Sequence, residues 1–170
     1  MIDNNTLEQH LRSGLQQMSI KIDDAKVERL LSYLQAMIKW NKAYNLSAIR
    51  EPIAMVEKHL LDSLSLVPFF QSAVNTSDDK RSIKQIIDIG TGGGLPGIPL
   101  AIIFPELAVT LLDSNGKKTR FLFQVKTELC LSNVQVENTR VESYQPESLF
   151  DIVVSRAFAS LYDMVTGTEH

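Results

Sequence analysis

The sequence predicts an α/β protein, a doubly wound parallel sheet preceded by a helical extension. Three observations carry that prediction. Residues 1–70 repeat their apolar positions at helical spacing. From Ile83 onward, short β-branched runs alternate with helix-length apolar segments, the pattern of right-handed parallel crossovers. Between the first such run and its helix, Ile86-Ile87-Asp88-Ile89 breaks into Gly90-Thr91-Gly92-Gly93-Gly94-Leu95-Pro96-Gly97, with five glycines in eight positions. A strand that ends in such a loop must accept positive φ and let a ligand come close to the backbone.

The elements follow in order. Thr6-x-x-Gln9 reads as a capping box ahead of Leu7, Leu11, Leu15 and Met18. Asp23 or Asp24 caps a longer second helix, on which Val27, Leu30, Leu31, Leu34 and Ile38 form one stripe. Trp40 is expected in the core and Asn45 as a cap near its end. Pro52 suits the first turn of a third helix, with Ile53, Val56, Leu60, Leu61 and Leu64 inward. Residues 71–82 read as a polar linker, which divides the chain into a helical subdomain, 1–70, and a sheet domain, 83–170. Within the second, strands are expected at Ile83 to Ile89, Ala108 to Leu112, Val134 to Val136 and Phe150 to Val154. Helices are expected at Pro96 to Phe104 and Gly116 to Cys130. Ligands bind such sheets at the carboxyl ends of the strands. Asp88 with the glycine loop, Asp113, and Ser155-Arg156 all fall on that edge.

Composition narrows the classes. At 170 residues the chain can hold one medium domain, or a compact domain with a small appendage. No apolar run reaches the length of a membrane span, and Met1-Ile2-Asp3-Asn4-Asn5 is unlike a secretory signal. A cytoplasmic protein without a membrane partner is expected. Cys130, the sole cysteine, excludes an intrachain disulfide and is expected as a small buried residue of the second crossover helix. A net charge of −3 does not advertise a nucleic-acid binder. Lys117, Lys118, Arg120 and Lys126 form one basic cluster, and Lys39, Lys42, Arg50 and Lys58 are spread over the N-terminal half; solvated helix faces account for both as well as RNA does. No metal-ligand spacing occurs.

Two nucleotide-derived cofactors compete for the loop. A dinucleotide fingerprint can be laid on Gly92, Gly94 and Gly97, with Asp113 sixteen residues later as the ribose acid. Its first glycine should stand at the strand end, however, and Gly90-x-Gly92-x-x-Leu95 fails at the third position. The pattern D-x-G-x-G-x-G is complete at Asp88, Gly90, Gly92 and Gly94, and it resembles the first motif of class I S-adenosylmethionine-dependent methyltransferases. An acid at the strand tip can pair with the ammonium of the methionyl part of that cofactor, directly or through water. A pyrophosphate would be repelled there.

Further candidates lie on the same edge. Asp113 is placed to accept hydrogen bonds from both ribose hydroxyls, or else simply opens a turn with Ser114 and Asn115. Arg140-Val141-Glu142 follows the third strand, where backbone groups of Val141 and the carboxylate of Glu142 could read an adenine edge. His59, Asp62 and Ser63 lie about one helical turn apart; they either reach the cofactor mouth or form an ordinary hydrogen-bonded helix boundary. Ser155-Arg156-Ala157-Phe158 stands where the target group belongs, without the Asn/Asp-Pro-Pro-Tyr/Phe of enzymes that methylate exocyclic amines. A ring nitrogen such as guanine N7 offers an in-plane lone pair and no proton, so its methylation needs alignment and proximity more than a base. The planar donor fork of Arg156 suits a carboxylate, a guanine Hoogsteen edge or a phosphate, with a salt bridge to Asp151 or Asp163 as the structural alternative. Arg156 and His59 are the candidate catalytic residues.

Five blocks in order carry a family resemblance: Trp40-Asn41-x-x-Tyr44-Asn45-Leu46-Ser47, His59-Leu60-Leu61-Asp62-Ser63, Asp88 to Gly97, Leu111-Leu112-Asp113-Ser114, and Ser155-Arg156-Ala157-Phe158-Ala159-Ser160-Leu161. From about Trp40 to Met164 the chain resembles the bacterial small-subunit ribosomal RNA methyltransferase G family, also called glucose-inhibited division protein B. The resemblance implies a Rossmann-like class I methyltransferase that moves a methyl group from S-adenosyl-L-methionine to N7 of a guanine in 16S rRNA. The partner implied is 16S rRNA or a small-subunit assembly intermediate, not DNA. The family's cofactor contacts fall on Gly90, Leu95, Val141, Glu142 and Arg156. Its members continue with further strands and a Lys-Gly segment, whereas this sequence stops at His170. The C-terminal strands are therefore expected to be missing and the fourth strand to form a sheet edge. A non-catalytic S-adenosylmethionine-binding remnant and an NAD-dependent oxidoreductase are the alternatives.

Overall fold

Four helical segments come first, in a computed structural model that describes residues 3–74 and 82–156. Helix α1 (Asn4–Gln17) starts under Asp3, whose carboxylate accepts from the Asn5 N–H at 2.6 Å. Thr6, expected as the cap, is therefore inside the helix, because Asp3 captures a free N–H earlier in the chain. Helix α2 (Asp24–Tyr44) is capped by Asp23 and ends at Asn45 in the left-handed conformation, φ 49°. It buries Val27, Leu30, Leu31 and Leu34 as the stripe predicts, and also Tyr33, Met37 and Asn41. The added width arises because α2 is sandwiched, with α1 on one flank and the crossover helices on the other. Trp40 is only partly buried, stacked on Tyr44 at 5.0 Å between ring centroids.

The third expected helix is composite. Helix α3 (Pro52–Met55) passes into a π-helical stretch, Val56–Leu61, and then α4 (Asp62–Leu64). Helix α5 (Val67–Val74) runs into the segment expected as linker, so Gln71 to Val74 are helical, with Phe70 buried to hold the turn down. The rest of that segment, 75–81, lies outside the described residues.

The sheet comprises β1 (Gln85–Ile89), β2 (Ala108–Leu112), β3 (Val134–Glu137) and β4 (Ile152–Val154) in the order β3-β2-β1-β4, with every pair parallel. Helices α6 (Gly97–Ile103) and α7 (Gly116–Glu128) make the first two crossovers. The strand order reverses at β1, which opens a crevice at its carboxyl end. Alternation divides the strands cleanly. Ile86, Val109, Leu111, Val134 and Val136 join one core with α6, α7 and the N-terminal helices, while Ile87, Ile89 and Leu112 pack under Val141, Tyr144, Phe150 and Val153. Among the described residues β4 is an edge.

Strand β2 falls where expected, and the other boundaries of the sheet region shift by at most two residues. Strand β1 starts at Gln85, where the Lys84 and Gln85 N–H groups both donate to Asp151 Oδ2 at 2.7 and 2.9 Å. Helix α7 stops at Glu128, and this corrects the reading of Cys130. Cys130 is exposed and left-handed, φ 50°, while the Leu131 N–H turns back to the Lys126 carbonyl at 2.9 Å. Reversing the chain there sends Leu131, 2% exposed, into the core instead.

Candidate functional site

The glycine loop is tied on three sides. Backbone N–H groups of Gly90 and Thr91 donate to the Leu112 carbonyl at 2.8 and 3.2 Å, which extends the β1–β2 ladder past the strand ends. From beneath, Asp88 Oδ2 accepts from Thr91 Oγ1 at 2.7 Å and from the Gly97 N–H at 2.9 Å. From the helical layer, the Tyr33 hydroxyl donates to the Gly93 carbonyl at 2.6 Å. Left-handed φ at Gly90, Gly92 and Gly94, 65°, 61° and 92°, makes this path possible.

Asp88 is completely buried, and its Oδ1 has no partner among the described residues. Burial pushes its pKa up to about 7 against the bonds from Thr91 and Gly97, which lower it. The acid expected to meet a ligand at the strand tip thus holds the loop with one oxygen and keeps the other bare. Asp113, 8% exposed, accepts from the Gly92 N–H through Oδ2 at 2.9 Å and from the Asn115 N–H through Oδ1 at 2.8 Å. Lys118 Nζ stands 3.8 Å away. Each carboxylate oxygen retains a lone pair for a further donor.

A groove of about 230 Å³ opens at the carboxyl edge of the sheet, and neither Asp88 nor Arg156 lines it. Gly90, Asp113, Val141 and Glu142 line it together, with Ile89 and Leu112 as its apolar floor. Gly92 reaches it through Asp113. Leu95 does not line it: its side chain is 4% exposed and belongs to the core.

Arg156 closes a second corner beyond β4. Its Nη1 donates to the Lys58 carbonyl at 2.8 Å and lies 3.3 Å from Asp62 Oδ2; its Nη2 lies 3.4 Å from His59 Nδ1. Its acidic partner is Asp62 rather than Asp151, which is spent on the start of β1, while Asp163 lies outside the described residues, as does all of 157–170. His59 is 3% exposed and sits behind Arg156 rather than at an open mouth. Burial, outweighing the Lys58 carbonyl and helped by the nearby guanidinium, lowers its pKa and so favours the neutral ring. Its Nε2 meets Ser47 Oγ at 2.8 Å. Ser63, the third member of the expected trio, is buried with its hydroxyl unpartnered among the described residues. The Ser155 hydroxyl donates to the Ile89 carbonyl at 2.8 Å and locks the end of β4 to the end of β1.

Residue typing missed Tyr33 and Ser47. The one signal for Tyr33 was an aromatic residue beside, not on, the apolar stripe of α2. Ser47 lies in the first of the five family blocks, where its residue type alone carries no sign of a role.

Sequence comparison places these features in a family. A family model described as rRNA small subunit methyltransferase G matches residues 26–170. The ribosomal RNA small subunit methyltransferase G of Cellvibrio japonicus is 56% identical over 164 residues, 96% of this chain and 72% of that protein. Its counterpart in Pseudomonas aeruginosa is 53% identical over 160 residues, 94% of this chain and 70% of that protein. A solved structure of coclaurine N-methyltransferase, bound to N-methylheliamine and SAH, covers 89% of this chain and 50% of its own at a TM-score of 0.46 and 12% identity, a likeness too loose to bear on activity. The family match runs through the glycine loop, the groove and the arginine corner alike, and the chain belongs to the rRNA small subunit methyltransferase G family.

Proposed function

We propose that this protein binds S-adenosylmethionine in the groove of Gly90, Asp113, Val141 and Glu142, and methylates N7 of a guanine in 16S rRNA in the cytoplasm. The observation that carries the reading is the convergence of a backbone-open loop, an acid after the second strand and a Val-Glu pair after the third on one groove. The residues fit the cofactor. Asp113 offers acceptors for ribose hydroxyls and Glu142 an acceptor for an exocyclic amine. Asp88 Oδ1, buried and without a hydrogen-bond partner among the described residues, is an acceptor available to the ammonium of the methionyl part. A Cβ at Gly92 would meet nothing nearer than 3.9 Å, so the loop leaves room at its surface.

When bound, S-adenosylmethionine supplies an electrophilic methyl on a sulfonium. The protein's part is then alignment. Guanine N7 must keep its lone pair bare to attack in line, so Arg156 acts on the guanine O6 or on the cofactor carboxylate rather than on N7 itself. No general base is required, in keeping with a buried neutral His59. The substrate is 16S rRNA, either free or in an assembling small subunit.

Calorimetry with S-adenosylhomocysteine and with NAD tests the cofactor, and preference for NAD would end the reading. Methyl transfer to small-subunit particles tests the rest. Arg156→Ala should lower transfer tenfold or more, about 1.4 kcal/mol, with only a small fall in its thermal midpoint from the lost bonds to Lys58 and Asp62. Early unfolding with normal transfer in the cold would make Arg156 structural. Cofactor binding by the wild-type chain without any transfer would reduce the protein to a binding remnant.

A further inference from the structure

Two segments about a hundred residues before Arg156 meet it at the end of β4, and their joint is the half-buried Ser47 against the buried His59. His59 touches Ser47 Oγ through Nε2 at 2.8 Å; its Nδ1 lies 3.1 Å from the Lys58 carbonyl and 3.4 Å from Arg156 Nη2. These contacts cannot all be hydrogen bonds in one tautomer. A guanidinium has only donors, so Arg156 bonds to the ring only when Nδ1 is bare. The ring proton then sits on Nε2 and is donated to Ser47 Oγ. In the other tautomer Nδ1–H is donated to the Lys58 carbonyl and Nε2 accepts the serine O–H. Arg156 then faces a donor, and keeps only Lys58 and Asp62.

Ser47 can serve both states because a hydroxyl both donates and accepts. Its own position is set by the helical layer. Ser47 Oγ accepts from the Ile49 N–H at 3.0 Å, and the Ser47 N–H donates to Asn41 Oδ1 at 2.8 Å. Asn41, buried on α2, fixes its amide by donating to the Ile49 carbonyl at 3.1 Å. The turn after α2 is thereby locked around one hydroxyl aimed at one imidazole.

We propose that Ser47, held by Asn41, is a positioning residue: it lets the buried His59 take the tautomer that accepts from Arg156, and so orients the guanidinium for methyl transfer. The inference rests on Arg156 acting at the site proposed above. It assigns the first two family blocks, around Asn41-Ser47 and His59-Asp62, to the service of the last.

The test combines ring-nitrogen NMR of His59 with methyl transfer to small-subunit particles, on wild type, Ser47→Ala and Ser47→Thr. Wild-type His59 should show a protonated Nε2. In Ser47→Ala the proton should move to Nδ1, because a buried N–H without an acceptor is costly while Lys58 offers one. Transfer at saturating cofactor should fall about tenfold, with the KM for cofactor unchanged where Arg156 acts on guanine O6 and raised where it acts on the cofactor carboxylate. Ser47→Thr should restore both readouts. A wild-type ring protonated at Nδ1, or normal transfer by Ser47→Ala, overturns the proposal. Should Ser47→Ala fail to fold, Arg156→Ala reads the same coupling from the other end: the ring proton must move to Nδ1, and an unmoved proton overturns the proposal. A wild-type chain that transfers no methyl at all refutes the proposed function instead, while the spectra still decide whether Ser47, His59 and Arg156 are coupled.

Discussion

The glycine loop and the arginine corner share one edge of the sheet but are built in opposite ways. The loop is tied mainly by neighbours in sequence: Asp88 reaches Thr91 and Gly97, three and nine residues on, and Asp113 reaches Gly92 across 21. The corner joins Arg156 to Lys58, His59 and Asp62, separated from it by 98, 97 and 94 residues. The loop should therefore keep its shape wherever β1 and β2 lie side by side. The corner exists only while the helical layer is docked on the sheet. Among the described residues, Tyr33 on α2 crosses between the two systems and holds the loop from the helical side.

The largest effect expected concerns Asp88. Its pKa, raised from 3.8 to about 7 by burial, means that the folded protein holds a proton that the unfolded chain releases. That contribution to stability is complete below the unfolded value and is lost as pH rises through about 7, on the order of 4 kcal/mol in all. Asp88→Asn should flatten the decline across this window in denaturant titrations. Parallel pH curves for the two proteins would mean that water reaches the carboxylate, and the loop would then be less self-contained than its bonds suggest. A cation bound at Oδ1 should favour the ionised form, so cofactor affinity in the wild type should rise with pH over the same range.

Next in size is a contrast within the loop. A Cβ at Gly94 would lie 2.5 Å from Ile98 Cγ1 and 2.9 Å from Leu122 Cδ2, on a backbone with φ 92°. Gly94→Ala should destabilise by about 3 kcal/mol through strain and overpacking. Gly92, equally left-handed but open around its Cα, should lose only about 1 kcal/mol as alanine. Equal losses would show that backbone conformation alone, not packing on α6 and α7, shapes the loop.

Asp113→Ala should cost roughly 1.5–3 kcal/mol of cofactor affinity, one to two decades, through lost charge-assisted bonds to ribose. It also frees the Gly92 and Asn115 N–H groups, so a small loss of stability should accompany it. An unchanged dissociation constant for S-adenosylhomocysteine would leave Asp113 as a turn residue. Tyr33→Phe comes last, at about 1–2 kcal/mol of stability for a buried carbonyl left without its donor. If that variant is as stable as wild type, the loop does not depend on the helical layer, and the contrast with the arginine corner becomes sharper still.

The sequence by itself determined the alternation of strands and helices, the glycine loop with its acid, and the candidate residues of the groove. Each of these rests on short-range physics: side-chain periodicity, glycine's access to positive φ, and a strand tip that must turn. Asn45 as the cap of α2 and Pro52 at the start of α3 belong to the same class. Tertiary structure alone decided the rest. Leu95 entered the core because the loop folds back on α6, and Cys130 left it because Leu131 could be buried in its place. Asp62 rather than Asp151 became the partner of Arg156, since the π-helical turn at Val56–Leu61 brings the Lys58 carbonyl and Asp62 up to the end of β4. Buried polar groups seek partners wherever packing puts them, and packing between segments nearly a hundred residues apart follows from how whole faces fit, which no local pattern encodes.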